Sequence, residues 1–189
     1  MVQKFKEITD ICVERQLQIF DTLDIHFDVF THESDFVYNN YLDNILKRLD
    51  KTGRLQEDEL GRLYVDLSGY DIPTREPVLV LTRSNKTSLY PMRDIAYTIH
   101  KIELNPKNNF IVLGEDQEVY MKQISAVLDI LGYKAPKLIS YSYVLLDGDK
   151  MSTSAGTVVL VTDFMKAVKN TLVNEFNKRN SEISVDKLN

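Results

Sequence analysis

The chain has 189 residues, 43% of them hydrophobic, which suits about one domain of roughly 150 residues with a real core. Its 23 basic residues are outnumbered by 28 acidic ones, a net charge of −5, which excludes a generally basic surface for gripping nucleic acid and leaves room only for a local patch. No apolar run approaches the ~20 residues of a membrane span and no signal peptide opens the chain, so a cytoplasmic protein without membrane contact is expected.

Helical periodicity runs from about Phe5 to Asp24. It sets Cys12 on an apolar stripe with Ile8, Ile19, Phe20 and Leu23, where the thiol reads as a small buried hydrophobe. A single cysteine excludes a disulfide framework and a cysteine zinc site. Ile25 to Phe30 reads as a short extended stretch, and Asn39 to about Lys51 as a second helix that stops near Gly53. Arg62 to Leu67 alternates like a half-buried strand, and Ser68 to Pro77 is rich in turn residues.

From Val78 the rhythm changes. Val78-Leu79-Val80-Leu81 is a short apolar run of the kind that suits a strand covered on both faces. A polar loop follows, then a helix with Ile95, Ala96, Ile99 and Ile102 at helical spacing. Phe110-Ile111-Val112-Leu113 reads as the next buried strand, and Tyr120, Ile124, Val127, Leu128 and Leu131 as a helix ended by Gly132. Leu138 to Leu146 is extended, Asp147-Gly148-Asp149 makes a turn, and Val158 to Val161 is short and apolar. Thr162-Asp163 then caps a last helix carrying Phe164, Met165, Val168, Leu172 and Phe176.

Strand, helix, strand, helix, strand predicts an α/β fold built on an open parallel sheet flanked by helices. Such sheets bind ligands outside the carboxyl ends of their strands. Three polar-rich segments fall there: Ser84 to Asp94, Gly114 to Gln117, and Asp147 to Gly156.

In Lys150-Met151-Ser152-Thr153-Ser154-Ala155-Gly156, a lysine charge, small hydroxyls and glycine can close on phosphate. A solvated turn is the other reading, and the residues alone leave both open. In Gly114-Glu115-Asp116-Gln117, glycine permits close approach of a ligand to the backbone, and an acid just beyond can accept from ribose hydroxyls. An ordinary strand-to-helix turn with a capping aspartate fits as well. In Tyr90-Pro91-Met92-Arg93-Asp94, proline suits the first helical position and puts Tyr90 and Asp94 one turn apart on one side. A phenol beside a carboxylate suits a guanidinium; a surface pair favoured by the helix dipole is the alternative. His26, His32 and His100 are dispersed without metal-ligand spacing, so no protein-bound metal is expected.

The three segments together resemble class I aminoacyl-tRNA synthetases, and the Tyr90-x-x-Arg93-Asp94 segment resembles the arginyl enzymes in particular. Phe27-Asp28-Val29 with Glu33-Ser34, and Arg62 to Asp66, resemble further stretches of that family, so the likeness runs from about Phe27 to Phe164. It implies the second half of a Rossmann-like nucleotide-binding sheet, with part of an inserted α/β segment before it. The implied division is residues 1–76 insert-like, 77–164 catalytic fold with the phosphate loop, and 165–189 a connecting helix. It implies roles for Lys150, Ser152 and Ser154 in catalysis at the β- and γ-phosphates of ATP. Gly114, Asp116, Lys150, Met151 and Ser152 would bind ATP, and Tyr90, Asp94 and Gln117 would bind arginine. ATP with Mg²⁺ enters as substrate, and arginine and tRNA(Arg) are the remaining partners. Arg93 is expected to make an internal ion pair.

Two positions depart from the pattern. Thr153 stands where the second lysine of Lys-Met-Ser-Lys-Ser usually sits, and Tyr120 where many relatives carry histidine, so Tyr120 reads as core rather than ligand. No His-Ile-Gly-His-like sequence occurs. The resemblance therefore implies a fragment of an arginine–tRNA ligase that is inactive alone and could dimerise through an exposed sheet edge. A non-catalytic half-domain acting as a binding module, and a class I synthetase of other specificity, are the alternatives.

Overall fold

The computed structural model describes residues 2–104, 106–143, 145–146, 149–150 and 159–179. Among them the order is α1 (Val2–Thr22), α2 (Ser34–Tyr38), α3 (Tyr41–Asp50), β1 (Leu55–Glu57), β2 (Leu63–Asp66), β3 (Val78–Val80), α4 (Tyr90–Glu103), β4 (Phe110–Gly114), α5 (Glu118–Ile130), β5 (Lys137–Tyr141), β6 (Leu145–Leu146), β7 (Asp149–Lys150) and α6 (Val161–Arg179). They fall into two units, Phe30–Tyr143, and Met1–Val29 together with Val144–Asn189.

In Phe30–Tyr143 the apolar periodicity becomes one core. Leu42, Ile45 and Leu49 of α3, Ile95, Ala96 and Ile99 of α4, and Ile124, Val127 and Leu128 of α5 are buried at the spacings that bring one helical face inward. Val65 and Leu79 meet them from the sheet. β4 and β5 pair in parallel from Phe110↔Lys137 to Gly114↔Tyr141, with α5 as the crossover helix that a parallel pair requires. The α/β class and the parallel strands flanked by helices thus follow the reading of the sequence.

One pairing differs. β3 does not join the parallel ladder; it lies antiparallel to β2, which is antiparallel to β1. A run of four apolar residues shows burial but not its partner. The partner is fixed by Leu81 N–H donating to Leu63 O at 2.8 Å and Leu63 N–H donating to Thr82 Oγ1 at 3.0 Å. Ile25 to Phe30, expected to be extended, forms no strand.

The end of α5 is set by Gly132, whose φ of +80° is left-handed. Gly132 N–H donates to Asp129 O at 2.9 Å and Tyr133 N–H to Leu128 O at 2.8 Å, the paired bonds of a Schellman stop. That turn delivers Tyr133 to a polar knot. Its hydroxyl donates to Glu103 Oε1 at 3.0 Å and accepts from Arg48 at 2.7 Å, while Tyr41 donates to Glu103 Oε2 at 2.9 Å. Burial, then the Glu103 carboxylate, push the Tyr41 phenol well above its ordinary range.

In the other unit β6 and β7 pair antiparallel, Leu145↔Lys150 and Leu146↔Asp149, and α6 starts at Val161 rather than after it. Cys12 is exposed, not buried, as is Ile8, while Ile19, Phe20 and Leu23 of the same stripe are half-buried. Among the described residues no helix is long and apolar enough to cross a membrane.

Candidate functional site

The carboxyl ends of β4 and β5 build the first part of the site. Gly114 and Tyr141 are register partners, so the residues just beyond them emerge side by side. After Gly114 the chain makes a short 3-10 turn, Glu115–Gln117, and enters α5. Ser142 donates to Glu115 Oε2 at 3.0 Å, and the Tyr143 hydroxyl hydrogen-bonds to Asp116, which raises the Tyr143 phenol above its ordinary range. Gln117 Nε2 donates to Asp116 Oδ2 at 2.8 Å. The Asp116 carboxylate folds back toward the strand end: a Cβ added at Gly114 would sit 2.6 Å from Asp116 Oδ1. Glycine is required there by the close approach and not by backbone conformation, since its φ is −63°.

The second part is the start of α4. The loop from Thr82 to Ser88 is closed by Arg83 N–H donating to Thr87 O at 2.8 Å and Leu89 N–H donating to Leu81 O at 2.8 Å. It returns the chain to Leu89, extended, followed by Tyr90 and Pro91 in the first helical turn. Tyr90 is 71% exposed, with the Arg93 guanidinium 4.6 Å from its ring centroid. Arg93 is also ion-paired with Glu33, the internal pair its position suggested. One face of the Tyr90 ring is therefore taken by the chain's own guanidinium.

Asp94, one turn past Tyr90, receives a hydrogen bond on Oδ2 from the Tyr120 hydroxyl of α5. Tyr120 is half-buried; burial, then this bond, hold its phenol far above the ordinary range, so it stays a donor. Asp94 also borders a cleft of about 160 Å³ shared with Thr31, Glu33, Phe36, Arg93 and Tyr97.

Three carboxylates of this region, Asp94, Glu115 and Asp116, are thus met by neutral hydroxyls of Tyr120, Ser142 and Tyr143. A hydroxyl satisfies a lone pair without cancelling the charge. Glu33 and Asp58 are paired with Arg93 and Arg62. The arrangement can accept hydrogen bonds from a cation or a diol.

Gly114, Asp116 and Gln117 come together at one turn, and Tyr90 and Asp94 at one helix start. Tyr120, three residues beyond Gln117 on α5, links the two. Sequence reasoning set Tyr120 aside as core; its signal was the three-residue spacing from Gln117, which puts both on one side of a helix. Ser142 and Tyr143 carried no motif, and Glu33 stood in the Glu33-Ser34 stretch of the resemblance without a site role. The Lys150 side chain and Met151, Ser152, Thr153 and Ser154 lie outside the described residues, although the backbone of Lys150 closes the β6–β7 ladder.

The catalytic-domain model of class I tRNA synthetases specific for arginine matches residues 1–189, further than the motifs alone reach. The arginine–tRNA ligase of Methanococcus aeolicus is 33% identical over 189 residues, 100% of this chain and 32% of its own length. That of Methanocella arvoryzae is 36% identical over 186 residues, 97% of this chain and 32% of its own. The solved arginyl-tRNA synthetase of Thermus thermophilus superposes with a TM-score of 0.78 at 20% identity, over 95% of this chain and 36% of that one. The chain spans about a third of the length of the curated relatives it matches. The chain belongs to the class I arginyl-tRNA synthetase family and corresponds to part of its catalytic domain.

Proposed function

We propose that the chain forms the arginine- and ribose-binding wall of an arginine–tRNA ligase. The observation that supports this best is the linked pair of anionic acceptors, Asp94 and Asp116, reached from the two ends of one helical turn of α5. Asp94 accepts the guanidinium of arginine, beside the free face of Tyr90, and Gln117 contacts the rest of the amino acid. Asp116 accepts from the ribose of ATP, which approaches the backbone at Gly114.

In the complete site the arginine carboxylate attacks the α-phosphate of ATP in line, forming arginyl-adenylate and releasing pyrophosphate. A terminal ribose hydroxyl of tRNA(Arg) then takes the arginyl group and AMP leaves. The resemblance gives Lys150, Met151, Ser152 and Ser154 the task of stabilising the charge on the phosphates, which the Mg²⁺ that travels with ATP also screens. Thr153 cannot carry the charge of a second lysine, so Lys150 or a group outside this chain supplies it. Functionally the chain divides into residues 1–76, 77–164 and 165–189, and it works in the cytoplasm.

Titrating the chain with arginine in a calorimeter tests the wall. Saturable binding is expected, weakened about tenfold or more in Asp94→Asn by loss of a charge-assisted bond. Equal affinity in that variant refutes the assignment. Arginine-dependent ATP–pyrophosphate exchange is expected to be absent, and exchange by the chain alone would show that it holds more of the site than proposed.

A second reading, a half-domain that binds another chain, is favoured by one observation. Phe110, Val112, Ile139 and Tyr141 share the outer face of β4–β5 and are all exposed, whereas parallel strands are ordinarily covered on both faces.

A further inference from the structure

We propose that Tyr120 is a positioning residue for guanidinium recognition, fixing the Asp94 carboxylate so that Oδ1 faces the ligand. This deepens the arginine reading above and rests on it.

Asp94 is exposed on the first turns of α4; the hydrogen bond described to its carboxylate comes from Tyr120 on another helix, while Lys101, two turns along α4, acts on it through charge alone. A free aspartate samples a broad range about its terminal torsion, so a ligand that needs one orientation must restrict it on binding. Tyr120 removes that freedom beforehand. Its ring is half-buried against the core of Phe30–Tyr143, and its hydroxyl donates to Asp94 Oδ2. A rigid ring on a packed helix thus anchors an exposed acid on the neighbouring one.

The donor is neutral, which decides its effect. An arginine or lysine in its place would orient Asp94 equally well and cancel the charge that draws a guanidinium. Burial keeps the phenol protonated, so it donates throughout the physiological range. With one lone pair of Oδ2 engaged, a guanidinium meets Oδ1 and the remaining lone pair of Oδ2, and its other N–H groups need further acceptors. Gln117 lies one helical turn from Tyr120, and its side chain is already hydrogen-bonded to Asp116.

The test is Tyr120→Phe, which removes the hydroxyl and keeps the ring. Arginine and adenosine are titrated separately into the chain and the variant, with thermal unfolding of both. Arginine affinity is expected to fall about tenfold while adenosine affinity stays within about twofold. Equal arginine affinity overturns the proposal, and so does a parallel loss of arginine and adenosine, which marks a merely structural role. If the unmodified chain binds adenosine and not arginine, the arginine reading itself fails. A second measurement needs no variant: in the chain labelled at tyrosine Cζ, saturating arginine is expected to shift the Tyr120 resonance, whereas equal lysine leaves it in place. An unmoved resonance under saturating arginine overturns the proposal as well.

Discussion

Gly114→Ala separates binding from folding at the ribose turn. The backbone at Gly114 has φ −63° and ψ 152°, a conformation any residue adopts, so alanine adds no torsional strain. On that ground alone the substitution would stabilise the chain by about 0.4–1 kcal/mol through the unfolded state. The new Cβ, however, would lie 2.6 Å from Asp116 Oδ1, closer than real Cβ contacts come, while the Asp116 Cγ is at an ordinary 3.8 Å. Relief requires the carboxylate alone to swing away, which breaks its bonds with Gln117 and Tyr143. Those bonds are exposed, and exposed charged contacts contribute about 0.2–1 kcal/mol each. The terms nearly offset one another, and the melting temperature should move by less than about 4 °C. Adenosine affinity should fall about tenfold, because the acceptor has turned and the backbone is no longer bare. Calorimetry with adenosine, paired with thermal unfolding, checks this. Unchanged adenosine affinity refutes the role of the close approach, and a large loss of stability refutes the claim that the clash is local.

Two further outcomes follow from other parts of the chain. Asp58 accepts from Leu60 N–H, Arg62 N–H and Arg62 Nε, and these bonds, the Arg62 backbone first, hold its carboxyl below its ordinary value of 3.8. A depressed folded pKa contributes stability that is present above pH 3.8 and lost as pH falls through the folded value. The stability gap between the chain and Asp58→Asn in urea should therefore close below pH 3.8, and a gap that stays constant with pH contradicts this origin. On the outer face of β4–β5, Val112 is 60% exposed beside Ile139. If that face binds another chain or a second copy, Val112→Lys should abolish concentration-dependent association in analytical ultracentrifugation without lowering the melting temperature. Association that survives the charge places the contact elsewhere.

The helices were legible because burial repeats along them. Ile95, Ala96 and Ile99 mark the inner face of α4 before any coordinate is known, and Gly132 marks the stop of α5. β4 and β5 were legible as strands with a helix of the right length between them, but not in their burial: Phe110 and Val112, expected to be buried, are exposed, because the outer face of the pair is uncovered. The partner of β3 was not, because Val78 to Leu81 states burial and leaves the neighbour to be set by contacts with Leu63, more than a dozen positions away. Of the candidate site, Gly114, Asp116, Tyr90 and Asp94 announced themselves through local spacing. The bond from Tyr120 to Asp94 joins residues 26 apart on two helices, and no local pattern encodes it. Cys12 shows the converse error, since an apolar stripe signals a partner for α1 but does not supply one.

The hydroxyl-capped acids also bear on how substrates of opposite charge share one rim. Asp94, Glu115 and Asp116 accept from neutral hydroxyls of Tyr120, Ser142 and Tyr143, and Lys101, two turns along α4, acts on Asp94 through its charge alone. A triphosphate is repelled from such a region, while a guanidinium and a ribose diol are drawn to it. On the proposed reading, then, nucleoside and amino acid are held here, and the phosphates are left for cations on a separate segment, with Lys150 first among them. The arginine carboxylate is repelled from the same acids, which directs it away from Asp94 and toward the phosphate side, where attack occurs. Had the three acids been paired with arginines, as Glu33 and Asp58 are, the rim would be close to neutral and would sort neither end of the amino acid. Neutral donors are what allow the acids to be ordered and charged together.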